Sequence, residues 1–309
     1  MKIIFMGTPD FAVPCLTEII KNGHDLLAVV TQPDRPKGRG KKLTSPPIKE
    51  TAIAYNIPIF QPERVKDEKF IEKIKALSPD CIVVVAFGQI LPKEILGIPP
   101  MGCINVHASL LPKYRGAAPI NWSIIKGEKI TGITTMYMDE GLDTGDMILK
   151  KEILIKDKTA GELHDVLSTA GAELLLETLT QIESGKAPRE KQNESESSYA
   201  PIMDKSLGNI DWKDTADNIY NLIRGVNPWP TSFTTYKGVK FKIWKSKVLE
   251  EKCTKKPGTI LKINNEGIYV STGSEILILE EIQFPNSRRM TVDAYLRGNK
   301  IEESIVLGE

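Results

Sequence analysis

Unbroken apolar runs alternate with amphipathic stretches along the first half of the chain. KIIFMG (Lys2 to Gly7), LLAVVT (Leu26 to Thr31), DCIVVVAF (Asp80 to Phe87) and GCINVH (Gly102 to His107) are short and dominated by apolar residues. Such runs predict strands buried on both faces of a sheet. Helical spacing of apolar positions predicts helices from about Pro9 to Lys21, over Ile48 to Tyr55 and over Glu68 to Leu77, with a short strand at Ile57 to Phe60. Asn22-Gly23 is the stop signal of the first helix. Two later strands, Gly132 to Met138 and Met147 to Ile155, precede a long helix over Thr159 to Glu183. That helix carries Leu163, Val166, Leu167, Ala170, Leu174, Leu175 and Leu179 on one stripe. The alternation implies an α/β domain. Its core is a Rossmann-like, mostly parallel sheet that takes ligands at the carboxyl ends of its strands.

The texture changes after Glu183. Gly185 to Ser198 is polar and contains Gly, Pro and Ser, so it reads as a linker with solvated carboxylates between Glu190 and Glu196. Further on, a helix over Thr215 to Arg224 leads into a rigid turn, Asn227-Pro-Trp-Pro230. Short runs broken by Gly follow: Ser232–Tyr236, Val239–Leu249, Gly258–Ile263, Ile268–Ser271 and Ile276–Phe284. That spacing predicts a small open β-barrel of OB-like type. The expected division is an α/β domain over 1–184, a linker over 185–205 and the β-barrel over 206–309. Trp122, Trp212 and Trp229 are expected to pack in cores or between domains.

Charge narrows the partners. There are 41 basic and 40 acidic residues, so any polyanion site must come from local clustering. Thr31 to Lys49 holds six basic residues against Asp34, and its prolines and glycines are expected to keep it out of regular structure. Lys237 to Lys262 holds nine lysines against Glu250 and Glu251, with Lys240, Lys242 and Trp244 on one strand face. A basic strand with an aromatic can track phosphates and stack a base. A solvated edge strand guarded by lysine has the same pattern. The cysteines (Cys15, Cys81, Cys103, Cys253) form no CxxC pair, which fits a reducing, cytoplasmic setting. No apolar stretch approaches the roughly 20 residues of a membrane span. The first residues reach Gly7, Pro9 and Asp10 too early for a secretory signal.

Two phosphate-loop patterns fail on spacing. Gly7 to Ala12 follows a strand and opens a helix but lacks the later glycines of GxGxxG, so NAD is not expected. Lys37 to Lys42 lacks the GxxxxGK[ST] order. CINVHASLLPKYRGAAP (Cys103 to Pro119) is more informative. Asn105 and His107 lie two apart at a predicted strand end and so share a face. An amide donor beside an imidazole suits acyl transfer, because both can donate to a carbonyl oxygen as it becomes negative. A simply hydrogen-bonded histidine at a strand end is the alternative. His24 and His164 are expected to be structural. MDEGLDTGDM (Met138 to Met147) places Asp139, Glu140, Asp143 and Asp146 in a tight loop, without EF-hand spacing. A carboxylate brought beside His107 would order proton movement. Both loops are expected to emerge near strand ends.

Taken together these pieces resemble the folate-dependent formyltransferases and, over the full length, the methionyl-tRNA formyltransferase family. The resemblance rests on GTPDFA near the start, TQPDRPKGRGKK at 31–42, INVHASLLPKYRGAAP at 104–119, GLDTGD at 141–146 and NPWP at 227–230. SLLP…RG and GLDTG mark the chemistry; the Pro33–Lys42 insertion and the C-terminal domain mark the tRNA branch. The resemblance implies that Asn105, His107 and Asp143 form the catalytic trio. It implies that Ser109, Leu110, Leu111 and Pro112 line the folate site, and that Ala86, Phe87, Gly88, Gln89, Ile90 and Leu91 hold the pterin ring. Arg39 would help recognise the tRNA acceptor end, with Lys41, Lys42, Lys240 and Lys242 as further tRNA contacts. The implied donor is 10-formyltetrahydrofolate and the implied acceptor is the α-amine of initiator methionyl-tRNA. No metal, no NAD and no membrane are expected, and the chain is expected to be a cytoplasmic monomer. Formyl transfer to another amine, such as an amino sugar, would not need the basic run Arg35 to Lys42. Hydrolysis of 10-formyltetrahydrofolate would not depend on tRNA, and an inert tRNA-binding protein would not need the trio. Where the family often has Gly-Lys-Lys-Arg-Met, this chain has Asn286-Ser-Arg-Arg-Met290.

Arg39→Ala is expected to weaken use of charged tRNA while formyl-donor binding is unchanged; unaltered tRNA kinetics would remove that role. Affinity for tRNA is also expected to fall steeply between low and moderate salt, because each neutralised phosphate releases counterions. A flat response would exclude a basic clamp.

Overall fold

The computed structural model describes residues 1–37, 40 and 42–309. The chain forms two compact units, each assembled from separate stretches of sequence.

The first unit comprises Met1–Gly116, Thr131–Leu154 and His164–Tyr199. Its strands are β1 (Lys2–Gly7), β2 (Asp25–Val30), β3 (Arg35–Lys37), β4 (Lys42–Thr44), β5 (Ile59–Phe60), β6 (Cys81–Val85), β7 (Cys103–His107), β8 (Arg115–Gly116), β9 (Ile130–Tyr137) and β10 (Met147–Leu154). Helices α1 (Val13–Lys21), α2 (Pro47–Ala54), α3 (Glu68–Leu77) and α4 (Lys93–Leu96) lie between the early strands. Seven strands form one sheet in the order β10-β9-β7-β6-β1-β2-β5. β1 is parallel to β2 and β6, β2 to β5, and β6 to β7. β9 runs antiparallel to β7. Strand order reverses between β1 and β6, the position at whose carboxyl ends sheets of this kind take ligands.

The apolar runs explain this sheet. All five residues of β6 are buried, as a strand covered on both faces requires. Ile4, Met6, Val30, Ile82 and Val84 pack with Phe70, Ile71 and Ile74 of α3. Asp67 caps α3 by accepting from the Lys69 N–H. The long helix α6 (Ala160–Glu183) includes Gly171, whose absent Cβ would stand 3.1 Å from Val106 and 3.7 Å from Ile133. Cys15, Cys81 and Cys103 are buried, and burial pushes the Cys15 and Cys103 thiols up to about 12. These thiols are therefore inert core residues.

The basic stretch at 31–49 departs from expectation. β3 and β4 pair as an antiparallel ribbon, with Arg35 opposite Thr44 and Lys37 opposite Lys42. A two-stranded ribbon leaves alternate N–H groups facing outward, and Pro36 is tolerated there. Asp34 secures the ribbon's base: its carboxylate accepts from Gln61 Nε2 at 2.8 Å and from Lys49 Nζ at 2.7 and 2.8 Å. Hydrogen bonds from Gln61 and Lys49 hold the Asp34 carboxyl below the ordinary range.

The second unit comprises Ala117–Ile130, Ile155–Leu163 and Ala200–Glu309. Its helices include α5 (Pro119–Ile125), the first turn of α6 (Ala160–Glu183), α7 (Ala216–Gly225) and α8 (Val292–Leu296). After β11 (Tyr199–Ala200) come β12 (Ser232–Tyr236), β13 (Val239–Leu249), β14 (Ile260–Asn264), β15 (Gly267–Ser271), β16 (Ile276–Gln283) and β17 (Met290–Thr291). They form an antiparallel sheet in the order β12-β13-β16-β15-β14, with β17 on β16. Ile219 and Ile223 of α7 join Phe241, Ile243, Val270, Leu279 and Ile282 in one core. Asn121 of α5 donates to the Gly225 carbonyl at 2.7 Å, tying two helices of this unit. Trp212 is buried, with its indole N–H on Thr234 at 3.0 Å, and Trp122 donates to the Pro201 carbonyl at 2.8 Å. Trp229 corrects the packing expectation, since it is 52% exposed; its turn is fixed by the flanking prolines rather than by burial of the ring.

Phe241 stacks on Phe284 at 4.7 Å, and Phe284 on Tyr295 at 4.8 Å. Phe241→Ala is expected to destabilise this unit by about 3–5 kcal/mol. Urea unfolding followed by tryptophan fluorescence would measure it; a cost well below that range would show that the stack is not central to the core.

Candidate active site

β7 delivers Asn105 and His107, which are 9% and 6% exposed. The segment that follows is pinned to β9. Thr134 Oγ1 donates to the Ser109 carbonyl at 2.7 Å and accepts from the Leu111 N–H at 3.1 Å. Ser109 Oγ donates to the Lys113 carbonyl at 2.6 Å, and Leu111 is buried with Met136 and Met147. Pro112 is buried and Leu110 half-buried. This pinning sets the position of Tyr114, whose carbonyl lies 2.9 Å from His107 Nε2. A carbonyl can only accept, so Nε2 carries the hydrogen and Nδ1 is the nitrogen free to meet other groups.

Asp143 completes the cluster. Its Oδ2 accepts from the Gly116 N–H at 2.8 Å and faces His107 Nδ1 at 3.7 Å. Its Oδ1 accepts from Asn105 Nδ2 at 3.4 Å. The other three carboxylates of the loop go elsewhere. Asp139 accepts from the Gly141 N–H and from Thr144 Oγ1, Glu140 faces Lys93, and Asp146 faces Arg189. Both loops leave strand ends, as expected, but from opposite ends of the β7–β9 pair. β9 is antiparallel to β7, with Ile104 opposite Tyr137, so the loop leaves β9 beside the first half of β7 and must double back to reach His107. Asp143 adopts φ 55°, and Gly145 passes so close to Tyr137 that a Cβ would meet its carbonyl oxygen at 1.8 Å. Both features let the loop reverse.

The 86–91 stretch leaves the carboxyl end of β6. Ala86 and Gly88 take positive φ, 47° and 86°. The Phe87 carbonyl accepts from Thr8 Oγ1 at 2.9 Å and from Gln32 Nε2 at 3.3 Å. Gln89 accepts from the Val65 N–H, and Phe87 and Leu91 are buried. Those three hold the loop, whereas Ala86, Gly88 and Ile90 are exposed, Ile90 by 79%.

Basic residues gather on the second unit's sheet. Lys240 Nζ lies 3.1 Å above the Phe233 ring, and Lys242 Nζ 5.4 Å from the Trp244 ring. Arg289 lies 5.0 Å from the same indole, whose N–H donates to Gln283. Asn286 takes φ 60°, a left-handed conformation that Asn tolerates. Arg39 and Lys41 lie outside the described residues; Lys42 begins β4.

Sequence reasoning missed three participants: the Tyr114 carbonyl, the Gly116 N–H and Gln192. The first two are backbone groups and leave no residue signature. Gln192 lies in the segment expected to be a solvated linker, yet it donates to the carbonyls of Asp143 and Gly145. Its neighbours Glu190, Glu194 and Glu196 are exposed as expected. Among the described residues no group of three or more His, Cys, Asp or Glu could hold a metal ion, and no helix is long and apolar enough to cross a membrane.

The sequence pattern of the formyl transferase family matches residues 1–179, and that of the formyl transferase C-terminal domain matches 202–300. The chain therefore belongs to the formyl transferase family. Solved structures agree at the level of fold. A sugar 3N-formyl transferase, WlaRD, superposes with TM-score 0.68 at 22% identity, covering 93% of this chain and 99% of that one. HypX from Aquifex aeolicus, in complex with tetrahydrofolic acid, superposes with TM-score 0.64 at 18% identity over 96% of this chain and 47% of that one. Full-length relatives carry the narrower identity. Methionyl-tRNA formyltransferase of Clostridioides difficile (strain 630) is 64% identical, covering 100% of both chains. That of Clostridium botulinum (strain Alaska E43 / Type E3) is 56% identical, also over 100% of both. Within the family, the chain stands with the methionyl-tRNA formyltransferases.

Asp143→Asn removes the charge opposite His107 while keeping the side chain's shape. Turnover is expected to fall roughly 10²–10⁴-fold, with the circular dichroism spectrum unchanged. Activity within a few-fold of the parent would remove Asp143 from the chemistry.

Proposed function

We propose that the protein transfers the formyl group of 10-formyltetrahydrofolate to the α-amine of methionine on initiator methionyl-tRNA, producing N-formylmethionyl-tRNA for translation initiation. The observation that carries this reading is the convergence of Asn105, His107 and Asp143 at β7 in a chain that matches methionyl-tRNA formyltransferases from end to end.

An α-amine has a reference pKa of about 7.7–8.0, and the adjacent ester lowers it. The nucleophile is then largely neutral near pH 7 and needs positioning more than a strong base. It attacks the formyl carbon, and the carbonyl oxygen becomes an oxyanion. Asn105 Nδ2 donates to that oxygen, as does His107. Because Nε2 is engaged by the Tyr114 carbonyl, His107 donates through Nδ1, which requires a ring protonated on both nitrogens. The Asp143 carboxylate, 3.7 Å from Nδ1, assists transfer of the amine proton through water. Collapse of the tetrahedral species breaks the bond to N10, which takes up a proton and leaves as tetrahydrofolate. No covalent enzyme intermediate is involved.

Donor binding falls to the two segments that leave neighbouring strands β6 and β7: Ala86 to Leu91 around the pterin, and Ser109 to Pro112 along the folate. Support comes from the exposure of Ala86 and Gly88 beyond the carboxyl end of β6. For the acceptor, Arg39, Lys41 and Lys42 in the inserted loop and Lys240 and Lys242 beside aromatic rings contact the tRNA. In this reading residues 1–184 are the catalytic domain, 185–205 the connection and 206–309 the tRNA-binding domain. The enzyme works as a monomer in the cytoplasm.

Transfer of labelled formyl to methionine-charged initiator tRNA, run beside uncharged tRNA and His107→Ala, tests the reading. Label is expected only on the charged tRNA, with turnover roughly 10²–10³-fold lower in the variant. Formate release that ignores tRNA would make the protein a hydrolase instead.

A further inference from the structure

Gln192 belongs to the polar segment after Gly185 and touches none of the reacting groups, yet its side chain is fully engaged. Nε2 lies 2.7 Å from the Asp143 carbonyl and 2.9 Å from the Gly145 carbonyl. Oε1 accepts from Arg115 Nε at 3.0 Å. Arg115 is 8% exposed, and its two terminal nitrogens close on the Glu194 carboxylate at 2.8 and 2.9 Å. One residue before Arg115, the Tyr114 carbonyl meets His107; one residue after it, the Gly116 N–H meets the Asp143 carboxylate. Ser198 adds two contacts to the same stretch, accepting from the Tyr114 N–H through its hydroxyl and from the Arg115 N–H through its carbonyl.

Gln192 therefore joins the backbone that carries Asp143 to the segment that touches both Asp143 and His107. An amide is the side chain this position requires. Its two N–H groups meet two carbonyls, and its oxygen meets a guanidinium. A carboxylate would satisfy Arg115 but repel both carbonyls. The need for such a tie follows from the loop's path, because Asp143 sits at positive φ in a loop that doubles back along β7.

We propose that Gln192 is a positioning residue that fixes the Asp143 carboxylate opposite Asn105 and His107. The proposal rests on the reading of Asp143 as catalytic. Gln192→Ala and Gln192→Glu are expected to lower kcat about 10- to 100-fold, with KM for both substrates within about twofold of the parent in the same assays. In an Asp143→Ala background Gln192→Ala is expected to cost nothing further, because coupled residues are non-additive. Hydrogen exchange at the Gly116 amide is expected to speed up in Gln192→Ala, a readout that needs no catalysis. Parental kcat in both variants, the same loss repeated in the Asp143→Ala background, or unchanged Gly116 exchange would each overturn the proposal. A parent protein that transfers no formyl group would instead sink the functional reading, while Gly116 exchange would still report on Gln192.

Discussion

The Gly116 N–H that donates to Asp143 Oδ2 at 2.8 Å joins two loops that would otherwise be independent. Hydrogen bonds to an ionised carboxylate are among the stronger ones available to a backbone. This one holds Asp143 where it can face His107 Nδ1 and accept from Asn105. The same short stretch supplies the Tyr114 carbonyl that sets the histidine's orientation. Two backbone groups, two residues apart, thus fix both the acid and the imidazole. The buried strand β7 gives them a rigid floor, since all five of its residues are covered.

Sheet topology explains why that bond is needed. The parallel strands β1, β6 and β7 open their carboxyl ends together, the edge where such sheets take ligands. β9 runs the other way, so the loop carrying Asp143 arrives from the opposite direction. Reversal requires a residue at positive φ and a glycine against Tyr137, and neither conformation would hold Asp143 in place by itself. The Gly116 N–H, the Gln192 amide and the buried Arg115 supply the fixed points.

Much of this was legible in the residues. β1 and α3 begin and end where apolar runs and helical spacing put them, at Lys2–Gly7 and Glu68–Leu77. Asn105 and His107 were paired by period two alone, and the acidic loop was recognised as a possible partner. What stayed hidden was carried by groups without a side-chain signature. Nothing in KYRG announces that one carbonyl and one N–H of it bind the trio. Gln192 sits among Lys, Asn and Glu in a stretch whose composition is that of a linker, because composition reports solvation and not the one side chain turned inward. The β3–β4 ribbon was missed for a related reason: prolines and glycines forbid long strands but permit a three-residue ribbon whose base is held by Asp34, Lys49 and Gln61.

The tautomer of His107 tests the central claim most directly. With three histidines in the chain, nitrogen-15 chemical shifts of their rings can be assigned individually. In the neutral ring of His107 the hydrogen is predicted on Nε2, directed at the Tyr114 carbonyl, leaving Nδ1 as the unprotonated nitrogen that faces Asp143. A neutral ring protonated on Nδ1 would break the link between the Tyr114–Gly116 segment and the Asn105–His107–Asp143 cluster, and with it the account of how this fold sets its site.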